Sequence, residues 1–425
     1  MKSNVVILGA GLSGLGCARA LPGAKVFEAG AHPGGHAYSH ELGGVHFDEG
    51  AHICHAKDQS WLDLLYRQAG PVECIEKSRV RNFWRGHWTT YPVQNHLNEL
   101  PVETRTKALT DLVAAQVEFK GHEPKNYHEW LLGQYGRFLT DNFYSEYTAK
   151  YWRVPMAELG LDWLGGRLLP AQVERIVAGA LAKQDEKQST FAKFHYPARG
   201  GFFAFFAPLY RELNIAFGHR ATRVDAARRQ VTFENGRTEN YDALASSIPL
   251  PELVKIIADA PDAVRAAAAR LRHVQLLCVN MLINRPSLSS DHWFYIYDPD
   301  IDIARVSVAS NLAPASAPPG VTALQAEIFR RHDEPMDEAA LAAKAVRDLG
   351  RVLNFAADDV RMVKPVRVPY SYVISDLHRA SSVDVIAKWL DQHRIFPMGL
   401  FGAWKYVWSD VAFRSGEATA SRIAG

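Results

Sequence analysis

The chain has 425 residues, 48% hydrophobic and 22% charged, an ordinary globular composition long enough for two or three domains with full cores. Its 48 Lys+Arg against 46 Asp+Glu leave a formal charge of +2, which excludes bulk attraction to nucleic acid or an anionic membrane and makes any basic site local. The four cysteines, Cys17, Cys54, Cys74 and Cys278, show no paired spacing, and no run approaches the ~18 apolar residues of a spanning helix, so a reducing, cytoplasmic setting is expected.

In chain order, Asn4–Leu8 is a short apolar run with β-branched residues and predicts a strand. A glycine turn follows, Leu12–Leu21 has helical character, and Lys25–Glu28 reads as a second strand. Residues 60–70 and 103–184 read as mainly helical, with breaks at Pro92, Pro101 and Pro155. Strands are expected at His219–Arg223 and Gln230–Phe233 around the Asn235-Gly236 turn, and at Tyr241–Ile248. Helix returns at 252–271. Residues 273–283, 292–310 and 321–330 are strand-like, 336–352 helical, 361–373 strand-like again, and a last helix begins near Asp410. The mixture predicts an α/β fold in which a dinucleotide-binding domain is interrupted by helical and antiparallel-sheet insertions. The expected division is a discontinuous dinucleotide domain of 1–75, 197–260 and 390–425, a mainly helical insertion at 76–196, and an antiparallel substrate domain at 261–389.

The chemistry starts at Gly9-Ala10-Gly11-Leu12-Ser13-Gly14, a G-x-G-x-x-G between the first strand and the first helix, with Glu28-Ala29 closing the next strand. Gly9 permits the tight turn, Gly11 lets backbone approach a pyrophosphate, and Gly14 lets helix and strand pack closely. The helix N-terminus offers unpaired N–H groups to the phosphates, and Glu28 can accept from ribose hydroxyls. The second glycine pair, in His32-Pro33-Gly34-Gly35-His36-Ala37, is similar to the extension in glutathione-reductase-like flavoproteins. That likeness implies FAD in a Rossmann-type domain. No metal-spaced His/Cys set and no serine nucleophile elbow is present.

From Gly34 the sequence reads Gly34-Gly35-His36-Ala37-Tyr38, then Gly50-Ala51-His52-Ile53-Cys54-His55. This resembles the UDP-galactopyranose mutase family, in which GGxAY and GAHIxH segments follow the FAD fingerprint, within the wider amine oxidase and protoporphyrinogen oxidase superfamily. Later segments agree in order: Tyr91-Pro92-Val93, Glu146-Tyr147-Thr148-Ala149-Lys150-Tyr151-Trp152 with Arg167 beyond it, Tyr196-Pro197-Ala198-Arg199-Gly200-Gly201, and Gly402-Ala403-Trp404-Lys405-Tyr406 before Asp410. The resemblance implies a small nucleotide-sugar substrate and reduced flavin N5 as covalent catalyst, with reduction by NAD(P)H or another donor. It implies His52, Arg305, Lys193 and Tyr406 in catalysis, and Arg167, Arg199, Arg305, Tyr370, Tyr372, Lys405 and Tyr406 at the substrate. Beyond the fingerprint, Gly34, Gly35, His36, Ala37, Gly50, Ala51, His52, Arg223, Val224, Gly399, Asp410 and Val411 are expected to hold FAD, with Asp410 capping the last helix. A homo-oligomer is left open.

Two departures stand out. The family's arginine before the GGY turn is replaced by Lys193, and the one before its EYKY motif by Leu400. Lysine keeps a point charge without bidentate geometry, and leucine removes the charge. A net oxidase of the amine or protoporphyrinogen type is therefore the competing expectation.

Overall fold

The computed structural model describes residues 4–55, 58–68, 70–165, 167–184 and 193–425. Val5–Leu8 forms the centre of a five-stranded parallel sheet, flanked by Lys25–Phe27 and Ala243–Ser246, with Ile215–Ala216 and Ile395–Pro397 outside them. All four residues of Val5–Leu8 and of Ala243–Ser246 are buried, as expected where both faces of a parallel sheet are covered. The sheet thus draws strands from the beginning, middle and end of the sequence.

The helix Leu12–Ala20 lies against the last helix, Ser409–Ala424, at backbone contact. A Cβ on Gly16 would run into the carbonyl oxygen of Phe413, and one on Gly416 into that of Ser13. Gly416→Leu is expected to force the helices apart and lower the melting temperature sharply, since overpacking costs about 1–3 kcal/mol or more. An unchanged thermal melt would contradict this contact.

A seven-stranded sheet carries the other half of the molecule, in the order Val360–Val373, His273–Ile283, Thr322–Arg331, Arg305–Val308, Trp293–Ile296, Val80–Trp84, His87–Thr90. The last two strands come from the segment expected to be mainly helical, because Val80–Trp84 pairs in parallel with Trp293–Ile296. The expected strand at 292–310 is two strands with a loop between. Beyond residue 373 the chain forms a further helix, Arg379–Gln392, in a stretch for which the sequence pattern predicts no element. Helices Val102–Glu118, Tyr127–Leu139, Ser145–Tyr151 and Val173–Leu181 lie in the expected helical segment.

One irregularity matters for the site. Along Val360–Val373, Val274 pairs with Tyr372 but Leu276 pairs with Val368, so a bulge separates them. Tyr370 and Tyr372 consequently pack into different surroundings.

Candidate functional site: a glycine-lined cradle beside a tyrosine box

Gly9 adopts φ +97°, and a side chain there would strike Ser247. A Cβ on Gly14 would strike the carbonyl oxygen of Gly9. Gly11 differs: its φ of −77° suits any residue, and, its chain neighbours apart, an added Cβ would find no atom of the described residues nearer than Gly35 Cα at 4.0 Å. The protein itself does not require glycine at position 11. A ligand passing over its backbone would. The second glycine pair is brought to this spot by Gly34, whose N–H donates to the Ala10 carbonyl at 2.8 Å.

The helix Leu12–Ala20 has no side-chain cap and no acid in its first turn, which leaves its leading N–H groups and positive dipole end available to an anion. Glu28 borders the same loop, accepting from the Ala10 and Gly30 amides, both at 2.7 Å. Gly399, at φ +75°, abuts Ser13 of the fingerprint helix and donates its N–H to Ser415 Oγ of the last helix at 2.8 Å. Val224 is buried and its carbonyl accepts from Ala258, whereas Arg223 is exposed. Asp410 is not the helix cap: Trp408 takes that place, putting Asp410 and the exposed Val411 within the first turn.

A second assembly centres on Arg305. Its Nε and Nη2 donate to Glu327 Oε1 and Oε2 at 3.0 and 2.8 Å, across directly paired strands. Arg305 acts electrostatically on the hydroxyls of Tyr147, Tyr151, Tyr295 and Tyr406, and Tyr372 acts in turn on Arg305. The rings of Tyr151 and Tyr372 lie 5.0 Å apart and those of Tyr372 and Tyr406 5.1 Å apart. Arg167 joins from the other side, its guanidinium 3.9 Å over the Tyr406 ring and 4.9 Å from that of Trp408, and its Nη2 donates to the Tyr406 carbonyl at 2.9 Å. Two buried donors here have no partner among the described residues, Arg167 Nε and the indole N–H of Trp152, whose ring lies 5.7 Å from Tyr406. Orphaned buried donors cost free energy unless a ligand or water takes them.

His52, in the Gly50–His52 loop, lies within electrostatic reach of Arg305 and stacks on Phe202 at 5.2 Å, with Nδ1 3.0 Å from the Gly50 carbonyl. As a donor there, Nδ1 leaves Nε2 with a free lone pair. Burial, with repulsion from His36, pushes its pKa down to about 4, so the ring is neutral at pH 7. Behind it, burial opposes ionisation of Glu49, but hydrogen bonds from His36 (3.0 Å) and His40 (3.1 Å) outweigh it and hold the carboxyl down at about 2.

Several expected site residues are not brought together. Lys193 lies half-exposed and ion-paired with Glu76 at 2.8 Å, because Phe194–Pro197 pairs with Val72–Ile75; it is not part of the tyrosine box. Tyr370 stacks on His273 at 4.0 Å and donates to Glu252, beyond the strand bulge. Arg199 and Lys405 are exposed. Leu400 packs among apolar residues that include Phe401 and Trp404. Sequence reasoning missed Glu327, Tyr147, Tyr151 and Tyr295. A signal for Glu327 existed: Gln325 and Glu327 are two apart in the otherwise apolar run 323–329, which places two polar side chains on one buried face.

The sequence pattern of the flavin-containing amine oxidoreductases matches residues 12–423. The chain belongs to that family. Among solved structures it is similar to reduced UDP-galactopyranose mutase, with a TM-score of 0.94 and 24% identity over 100% of this chain and 94% of that one. It is also similar to a protein assigned as a protoporphyrinogen oxidase from Exiguobacterium sp. 255-15 (TM-score 0.76, 15% identity, 100% and 99% covered). A third likeness is to a conjugated-linoleic-acid-producing fatty acid isomerase from P. acnes (TM-score 0.66, 16% identity, 99% and 98% covered). At these identities the likenesses speak for the fold.

FAD is the cofactor of this flavoprotein, and the chain fits it: the gap over Gly11, the uncapped helix and the Glu28 carboxylate match a pyrophosphate and a ribose. No His/Cys/Asp/Glu group able to hold a metal occurs among the described residues, and no helix among them is long and apolar enough to cross a membrane.

The buried ionisable groups predict acid lability. Burial holds His52 and His292 down to about 4 and His273 to about 3, while it pushes Asp48 up to about 6. At pH 5 the unfolded chain binds protons on all three histidines that the native chain refuses, and the native chain keeps one on Asp48 that the unfolded chain releases. The net is two protons taken up on unfolding, so near pH 5 these four groups make stability fall by roughly 2.7 kcal/mol for each unit the pH is lowered. His273→Phe preserves the ring stack and removes one of these protons, so the slope of unfolding free energy against pH near 5 is expected to drop by roughly 1.4 kcal/mol per unit. Parallel slopes in wild type and variant would refute this account.

Proposed function

We propose that the protein is a flavoenzyme that isomerises a nucleotide-activated sugar, with Arg167, Arg305 and the tyrosine box forming the substrate site and His52 lying at the flavin. The observation that carries this reading is the convergence of two arginines on one tyrosine-lined, polar box. Such a lining suits a hydroxylated, anionic ligand better than an apolar one. FAD, once reduced, would supply the nucleophilic N5 that covalent sugar chemistry needs. The chain's own residues bind and orient. Arg305 is held rigid by Glu327 through Nε and Nη2, and neither of those bonds uses Nη1. Arg167 is held over Tyr406, with Nε available to a phosphate oxygen. Tyr372 and Tyr406 offer hydroxyls to the sugar, and neutral His52 can exchange a proton at Nε2 without holding a competing charge.

A second reading is net oxidation of an amine or an apolar substrate. Leu400 in its apolar cluster supports it, as does the neutralisation of Arg305 by Glu327, because both lower the site's positive charge. The deciding experiment is an anaerobic titration of the photoreduced protein with UDP-sugars, followed by the flavin spectrum and product analysis. Isomerisation with no net use of reductant is the expected result. If no UDP-sugar binds while an amine or tetrapyrrole bleaches the oxidised flavin, the second reading replaces the first.

A further inference from the structure

The seven-stranded sheet presents four polar side chains as two cross-strand pairs, Arg305 opposite Glu327 and Ser307 opposite Gln325. Two of them reach off the sheet to the segment that leads into His52. Gln325 Nε2 donates to the Asp48 carbonyl at 2.7 Å, and Glu327 Oε1 accepts the Ala51 amide at 2.8 Å. Gly50, at φ +90°, lies directly above: a Cβ there would sit 3.8 Å from the Glu327 carboxylate and 3.2 Å from Leu276. The loop is thus suspended from the sheet.

Glu327 Oε1 has two donors, Ala51 N–H and Arg305 Nε at 3.0 Å. The carboxylate is fully buried, so no solvent adjusts its charge, and what one donor takes the other loses. An anion on Arg305 would draw the guanidinium's charge outward, leave the carboxylate richer and tighten its hold on Ala51. We propose that Glu327 is a positioning residue that transmits the occupancy of Arg305 to the Gly50–His52 loop, so that the loop facing the flavin responds to the substrate's anionic group. The ligand half rests on the reading of Arg305 as a substrate residue. The link from Arg305 to the loop does not.

The test is hydrogen–deuterium exchange of the peptide spanning 48–55 in the FAD-loaded protein. Arg305→Lys keeps the charge but loses the paired geometry, and is expected to change exchange in this peptide about three- to tenfold. In a Glu327→Gln background, Arg305→Lys is expected to change nothing further. A residue that merely supports the loop would make it exchange faster without removing its dependence on Arg305. Equal effects of Arg305→Lys in both backgrounds, or none in the parent, overturn the proposal. Adding UDP as probe extends the test: exchange should slow in wild type and stay constant in Glu327→Gln. Failure of UDP to bind wild type counts against the nucleotide-sugar reading alone, and the variant cycle still decides the coupling.

Discussion

Gly11→Val purifies as a folded, colourless protein. This result is expected because the protein leaves open space where the new side chain goes, its nearest neighbour from Cβ being 4.0 Å away. The backbone at Gly11 is in an extended conformation that valine accepts without strain. The isopropyl group then fills the approach to the N–H groups of the fingerprint helix, and FAD affinity should fall by at least about 10³-fold, roughly 4 kcal/mol. The measurement is the ratio of flavin to protein absorbance, with a thermal melt compared with that of flavin-stripped wild type. Gly14→Val is the control with the opposite failure, since its side chain would collide with the Gly9 carbonyl and break the fold itself. Full yellow colour in Gly11→Val would move the cofactor elsewhere.

Arg167→Met should retain FAD and lose about 10²–10³-fold in kcat/KM toward sugar nucleotides, some 3–4 kcal/mol of transition-state stabilisation. Methionine keeps a long apolar stem over Tyr406 and Trp408, so the aromatic packing survives while the charge and the free Nε donor vanish. Arg167→Lys should rescue only partly, because an ammonium cannot lie flat on Tyr406 and present a fork. Steady-state kinetics under reducing conditions checks both variants. An Arg167→Met enzyme with undiminished kcat/KM would remove Arg167 from the substrate site.

Local chemistry was legible from sequence where a few neighbouring residues carry it. The Gly9–Gly14 turn, Glu28 and the Gly34-Gly35 pair lie within one contiguous stretch, and their geometry follows from their own backbone requirements. Pairings between distant strands were not legible. Nothing near Lys193 reveals that Phe194–Pro197 pairs with Val72–Ile75 and so sets the lysine beside Glu76. The two-residue spacing of Tyr370 and Tyr372 suggests one face, and only the bulge opposite Val274–Leu276 sends Tyr370 to Glu252 and Tyr372 to the box. Likewise the Val80–Trp84 hairpin finds its sheet more than two hundred residues away, at Trp293–Ile296. Arg305 could be picked out alone, but its partner Glu327 depends on strand register.

The order in which the parallel sheet takes its strands has a consequence for biosynthesis. Val5–Leu8 leaves the ribosome roughly 20–80 s before Ile395–Pro397, at typical elongation rates of about 5–20 residues per second. Through that interval the bare backbone at Gly16 has no Gly416 helix against it, and the turn that places Gly399 on Ser13 does not exist. Cofactor capture is therefore a late event, following synthesis of the Ile395–Pro397 strand and the Ser409–Ala424 helix. The nascent protein must keep an unfinished sheet edge and an uncovered helix out of contact with its neighbours until then.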